Sequence, residues 1–192
     1  NSTLCGDELE KCRKEWTDSD NHTYGCDVMI NCWNNEQYCT YLEFQPLADE
    51  QDFERQSGAN IKRLYNGVFT PLTQLRDINF AYNFLQNLNE SSFMNLSLYS
   101  LNLNANLLSD LNFLFSCNSR TTLRELYLVN NNIAVLKNEM FNMESLEELY
   151  LTENIISTIH PDAFDASQLT ILDLSSNRIE MLSRDVFNNL PR

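Results

Sequence analysis

One phrase recurs along this chain about every 23 residues, and it constrains the fold more than any other feature. It reads Leu-x-x-Leu-x-Leu-x-x-Asn-x-Ile/Leu-x-x-Leu/Ile-x(4)-Phe. A clear copy runs from Leu146 through Leu149, Leu151, Asn154, Ile156 and Ile159 to Phe164. The next runs from Leu169 through Leu172, Leu174, Asn177, Ile179 and Leu182 to Phe187. The asparagines Asn83, Asn106, Asn131, Asn154 and Asn177 mark five units at steps of 23, 25, 23 and 23 residues. Leu75, Leu98, Leu123, Leu146 and Leu169 open them at the same steps. A degenerate unit precedes them, in which Ile61, Leu64 and Phe69 fit and Ala59 stands at the asparagine position. Self-similarity at such a period is the mark of a solenoid.

The last two leucines of Leu-x-x-Leu-x-Leu are two residues apart, so both point to the same face of a short strand. One strand and its returning arc cannot bury them, but stacked neighbours can. The pattern predicts parallel strands near residues 78–80, 101–103, 126–128, 149–151 and 172–174. An inward asparagine must find hydrogen-bond partners, and backbone groups of the adjacent turn supply them, so the five form a ladder. Phe69, Phe93, Phe115, Phe141, Phe164 and Phe187 are expected to stack as an apolar spine under the arcs. All of these residues read as scaffold.

The motif resembles the leucine-rich repeat family, in its class with a phenylalanine-bearing convex side, over about residues 59–192. The resemblance implies an α/β solenoid with a parallel β-sheet on the concave face and irregular convex arcs. Residues 59–192 are thus a degenerate unit plus five clear repeats. Residues 1–58 do not fit the repeat and read as a cysteine-rich N-terminal cap over the first exposed core face. In the cap, the alternation Tyr41-Leu42-Glu43-Phe44 is expected to form a strand beside the first repeat. At the other end, the chain stops inside a repeat, and is expected to be the N-terminal part of a longer ectodomain. Its longest apolar runs are too short to span a bilayer, so a membrane anchor would lie in a downstream segment.

Cys5, Cys12, Cys26, Cys32 and Cys39 crowd into the head, and Cys117 stands apart in the 25-residue repeat. Their spacing fits no zinc ribbon or finger, and points to disulfides. It leaves open whether Cys117 bonds to the cap, stays free or bridges to another chain. Four Asn-x-Ser/Thr sequons, at Asn1, Asn21, Asn89 and Asn95, are candidate N-glycan acceptors. Cysteines and sequons together favour the secretory route and an extracellular location.

The formal net charge is −14, and residues 1–60 carry 13 acidic against 4 basic residues. Such a surface repels phosphate backbones and anionic lipids and steers a basic protein toward it. Nucleic acid is therefore excluded as an expected partner. No nucleophile elbow, phosphate loop or metalloprotease signature occurs, and His22 and His160 read as surface residues. Residues from Asp18 onward depart from a calcium loop, with Thr23 and Met29 where glycine and glutamate are required. We read the chain as a binding protein without catalytic residues, metal or cofactor.

The variable positions of each strand face outward and are the candidate ligand site. The central column is Asn79, Asn102, Tyr127, Tyr150 and Asp173. Beside it lie Arg124, Glu125, Val129, Glu147, Glu148, Thr152 and Glu153. Tyr127 and Tyr150 should be neighbours on adjacent strands about 5 Å apart. Tyrosines next to carboxylates are frequent interface anchors. A lateral or convex site is the alternative that the sequence leaves open.

The phenylalanine-type repeats, the long cysteine-rich head, the sequons and the stretch Leu42-Glu-Phe44-Gln-Pro46 resemble invertebrate Toll-type receptor ectodomains. That resemblance implies an innate-immune or developmental receptor that binds a cystine-knot cytokine of Spätzle type, or a microbial ligand, with receptor dimerisation. A secreted leucine-rich repeat immune factor or a matrix or adhesion protein is the alternative.

Overall fold

The computed structural model describes residues 28–30, 41–44, 61–64, 69, 72–89, 91–93, 95–115 and 118–191. The strands run in chain order as β1 (Val28–Ile30), β2 (Tyr41–Phe44), β3 (Asp77–Asn79), β4 (Ser100–Asn102) and β5 (Glu125–Tyr127). They continue as β6 (Val135–Leu136), β7 (Phe141–Asn142), β8 (Glu148–Tyr150), β9 (Thr158–Ile159), β10 (Phe164–Asp165) and β11 (Ile171–Asp173). One sheet has the order β1-β2-β3-β4-β5-β8-β11, parallel throughout except for the antiparallel β1–β2 pair. On the opposite side of the stack, β6 pairs with β9 and β7 with β10, both parallel. Among the described residues the helical part is two 3-10 turns, Asn112–Phe115 and Asn118–Thr121. No helix among them is long and apolar enough to cross a membrane.

The repeat strands begin and end one residue earlier than the pattern suggested. Pairing nonetheless continues one step past each strand, because Phe80, Leu103, Leu128 and Leu151 donate their amides to Asn102, Tyr127, Tyr150 and Asp173 carbonyls. The difference is the usual looseness of element ends. In β3, β4, β5 and β8 the middle residue is buried and its two neighbours are half-buried. That alternation sends Ile78, Leu101, Leu126 and Leu149 into the core and leaves the flanking side chains facing outward.

The segment Tyr41–Phe44 does form a strand in the sheet. It pairs with β3 in the register Tyr41↔Asp77, Leu42↔Ile78 and Glu43↔Asn79. The degenerate unit contributes to the core through Ile61, Leu64 and Phe69, each less than one-tenth exposed.

The asparagine ladder is complete. The Oδ1 atoms of Asn83, Asn106, Asn131, Asn154 and Asn177 accept the amides of Ile61, Leu85, Leu108, Ile133 and Ile156, all in the preceding unit, at 2.9–3.1 Å. The Nδ2 group of Asn154 donates to Leu128 O of the preceding repeat at 2.8 Å, and to Leu151 O and Thr152 O of its own. Asn106, Asn131 and Asn177 repeat this arrangement. The ladder also holds a strained turn. The residue before each asparagine, namely Tyr82, Ala105, Asn130, Glu153 and Ser176, has a φ between 51° and 59°. A non-glycine residue in this left-handed region costs about 1–2 kcal/mol. Each Nδ2 bridges the two carbonyls just before that residue, so the buried hydrogen bonds offset the strain.

The phenylalanine spine differs from expectation in the long repeat. Phe69 stacks on Phe93 at 6.1 Å, Phe141 on Phe164 at 5.6 Å, and Phe164 on Phe187 at 6.2 Å. In the 25-residue repeat, however, Phe113 packs edge-on to Phe93 at 5.7 Å and is buried, while Phe115 is 41% exposed. The 3-10 turn over Asn112–Phe115 causes the exchange, since it turns Phe113 and Leu114 inward and Phe115 out. Phe115 then lies under the Arg120 guanidinium, whose carbon is 5.6 Å from the ring centre. Phe80, at a leucine position of the motif, adds a ring tilted against both Phe69 and Phe93. Phe187, at the end of the row, is 44% exposed.

Candidate functional site

The register of the sheet sets the candidate residues in rows. Asn79, Asn102, Tyr127, Tyr150 and Asp173 face one another across β3, β4, β5, β8 and β11. Asp77, Ser100, Glu125, Glu148 and Ile171 form the row two residues earlier. Two residues later come Ala81, Asn104, Val129, Thr152 and Ser175. Tyr127, Tyr150, Asn102, Asp173, Glu125, Glu148, Val129 and Thr152 thus lie together on the sheet's solvent face.

At the centre of this face, the Tyr127 and Tyr150 rings are 5.1 Å apart and 5° from parallel. Parallel strands bring equivalent residues this close, and the hydroxyls fix the ring directions. Tyr127 Oη donates to Glu125 Oε2 at 3.3 Å, and Tyr150 Oη donates to Glu148 Oε2 at 3.2 Å. Burial, then the Glu125 and Glu148 charges, push the Tyr127 hydroxyl up to about 12. Tyr150 is raised by burial and by its bond to Glu148. Both therefore remain neutral donors at neutral pH. Asp77 is also raised, by burial and then by the charge of Glu125, with Arg76 opposing. The face carries the carboxylates of Asp77, Glu125 and Glu148 beside an aromatic pair.

Other members of the central row have a structural task. Asn79 and Asn102 accept the amides of Ala81 and Asn104 through Oδ1, at 2.9 and 3.0 Å. Asp173 does the same for Ser175 at 2.9 Å, and its bonds to Ser175 and Thr152 hold its carboxyl below the usual range. A tyrosine cannot make this turn. Asn104 replaces it for Tyr127 by accepting the Val129 amide across the repeats at 2.7 Å. Asn104 was not singled out in the sequence, where it reads as one more asparagine of an asparagine-rich chain. Asp77 and Ser100 were missed too, although they occupy the same motif position as Glu125 and Glu148.

At the edge of the face, Arg124 pairs with Glu147 at 2.6 Å and lies over the Tyr99 ring, 5.2 Å from its centre. Arg124 and Glu147 belong to this edge cluster, and Glu153 to the left-handed turn beyond the strand. The sequons Asn89 and Asn95 are on exposed arcs, off the strands. Cys5, Cys12, Cys26, Cys32, Cys39, Cys117, Asn1 and Asn21 lie outside the described residues.

Two family models described as leucine rich repeat match the chain, at residues 121–168 and 168–190. Comparison with curated protein sequences gives no match. Among solved structures, the chain is similar to the protein in the crystal structure of the TLR13–ssRNA13 complex, with a TM-score of 0.64 and 26% sequence identity. That likeness covers 68% of this chain and 19% of the other, so the chain spans about one-fifth of that protein's length. A leucine-rich repeat protein of Leptospira interrogans has a TM-score of 0.48 and 21% identity, over 64% of this chain and 37% of its own. The parallel sheet, the asparagine ladder and the two family-model matches together show that the fold is a leucine-rich repeat solenoid.

Proposed function

We propose that this chain is the ligand-recognition part of an extracellular Toll-type receptor. In this reading the solvent face of the sheet docks a protein ligand with a basic surface, and Tyr127 and Tyr150 are its anchors. The observation that carries it is the stacked tyrosine pair flanked by Glu125 and Glu148. Two flat, rigid rings offer apolar contact area at small entropic cost, and the carboxylates beside them suit lysine or arginine side chains. Likeness to a Toll-like receptor over 68% of the chain supports the receptor assignment. A cystine-knot cytokine of Spätzle type is the class of ligand we favour, with receptor dimerisation on binding. The activity is binding without catalysis, and turnover in a broad hydrolase screen would contradict it.

The similar protein was crystallised with a single-stranded RNA. For the present chain the net charge of −14 argues against a phosphate backbone. Surface plasmon resonance with a recombinant Spätzle-type cytokine and with a single-stranded RNA oligonucleotide separates the two. We expect the cytokine to bind wild type and to dissociate faster from the Tyr127→Ala/Tyr150→Ala double variant. RNA binding without cytokine binding overturns the proposal. An unchanged dissociation rate in the double variant moves the site off this face.

A further inference from the structure

A cavity of about 500 Å³ lies away from the sheet, between the arcs of two successive units. Lys62 and Arg63 line it from one arc, and Gln86, Asn87 and Asn89 from the next. Leu64 and Leu88 also line it, each less than one-tenth exposed. Its volume falls within the range of about 300–1,000 Å³ typical of small-molecule sites. The lining suits a sugar attached at the rim: the side-chain amides of Gln86 and Asn87 and the Arg63 guanidinium can meet hydroxyl and acetamido oxygens, and the leucines can meet a ring face.

Asn89 is itself the acceptor of an Asn89-Glu90-Ser91 sequon. It is exposed, and its Oδ1 accepts both the Ser91 amide at 3.0 Å and the Ser91 hydroxyl at 2.9 Å. Its backbone N–H donates to Oγ of the buried Ser92 at 3.0 Å. These bonds fix the side chain at the rim of the cavity and leave Nδ2 available for substitution. We propose that Asn89 carries an N-linked glycan whose first sugar seats in this cavity and bridges the two units. The donor is an oligosaccharide linked to a lipid diphosphate. The Asn89 Nδ2–C1 bond forms as the C1–O bond breaks, the diphosphate leaves with the electron pair, and a transferase base takes the amide proton. The inference shares only the secretory route with the proposed function and does not involve the sheet face.

The test is to secrete the full chain from eukaryotic cells behind a signal peptide and map the modified peptides by mass spectrometry. Arg63 accessibility is then followed with phenylglyoxal. We expect Asn89 to be occupied and Arg63 to react several-fold more slowly than in the N89Q variant. Trimming the glycan to one N-acetylglucosamine should keep the protection. Amidase removal, which leaves aspartate, should abolish it in wild type even where N89Q is not secreted. The N95Q variant, which removes the other described sequon, should leave Arg63 protected. An unmodified Asn89 overturns the proposal, as does a glycosylated Asn89 with Arg63 fully reactive. Cytokine binding at the sheet face, measured on the same samples, reports on the proposed function separately.

Discussion

Tyr127 and Tyr150 stack face to face at 5.1 Å, and each hydroxyl is tied to the carboxylate two residues before it in its own strand. The rings are thereby oriented before any ligand arrives. A preformed aromatic surface loses little conformational entropy on binding, which favours its use as an anchor.

The Tyr127 hydroxyl should titrate late. Its folded value of about 12 stands above the ordinary value of about 10 for tyrosine, because of burial and then the Glu125 and Glu148 charges. A raised folded value means stability that is fully present below about pH 10 and lost as pH rises through about 12. Urea unfolding between pH 9 and pH 12 should therefore show wild type losing more stability than Tyr127→Phe. Parallel curves would contradict the assignment.

The ladder should respond strongly to loss of one rung. Asn154→Ala removes an acceptor for Ile133 N and the donor to three carbonyls. Leaving buried backbone groups without partners costs about 1–3 kcal/mol. Thermal melting should show a clear fall, and a melting temperature equal to wild type would remove the ladder from the account of stability.

The two phenylalanines of the long repeat should separate by cost. Phe113→Ala opens a cavity in the core and should destabilise by about 3–5 kcal/mol. Phe115→Ala loses an exposed ring and its contact with Arg120, and should cost less than about 1 kcal/mol. Denaturant midpoints for the two variants check this, and a reversed order would return Phe115 to the spine.

Association with a basic ligand should slow as salt rises. The screening length shrinks from about 10 Å at 0.1 M to about 3 Å at 1 M salt, which weakens steering by a chain of net charge −14. Glu125→Gln/Glu148→Gln should slow association further while leaving the tyrosine stack in place. An association rate that is flat across salt would remove the electrostatic part of the proposal.

The sequence by itself determined the solenoid, its register and its ladder. Leucines two residues apart have only one arrangement that buries them, and Asn154 or Asn106 has only neighbouring backbone to satisfy it. The same period placed Tyr127 beside Tyr150, since equivalent positions of adjacent parallel strands must be neighbours. Tertiary structure decided what the period does not encode. The 3-10 turn in the 25-residue repeat exchanged Phe115 for Phe113, because two extra residues can be absorbed in several ways and packing selects one. Only the folded chain shows that Asn104 replaces the missing turn-forming side chain at Tyr127, since that bond crosses between repeats. The cavity between Lys62 and Asn89 likewise belongs to neither unit alone and exists only once the arcs are stacked.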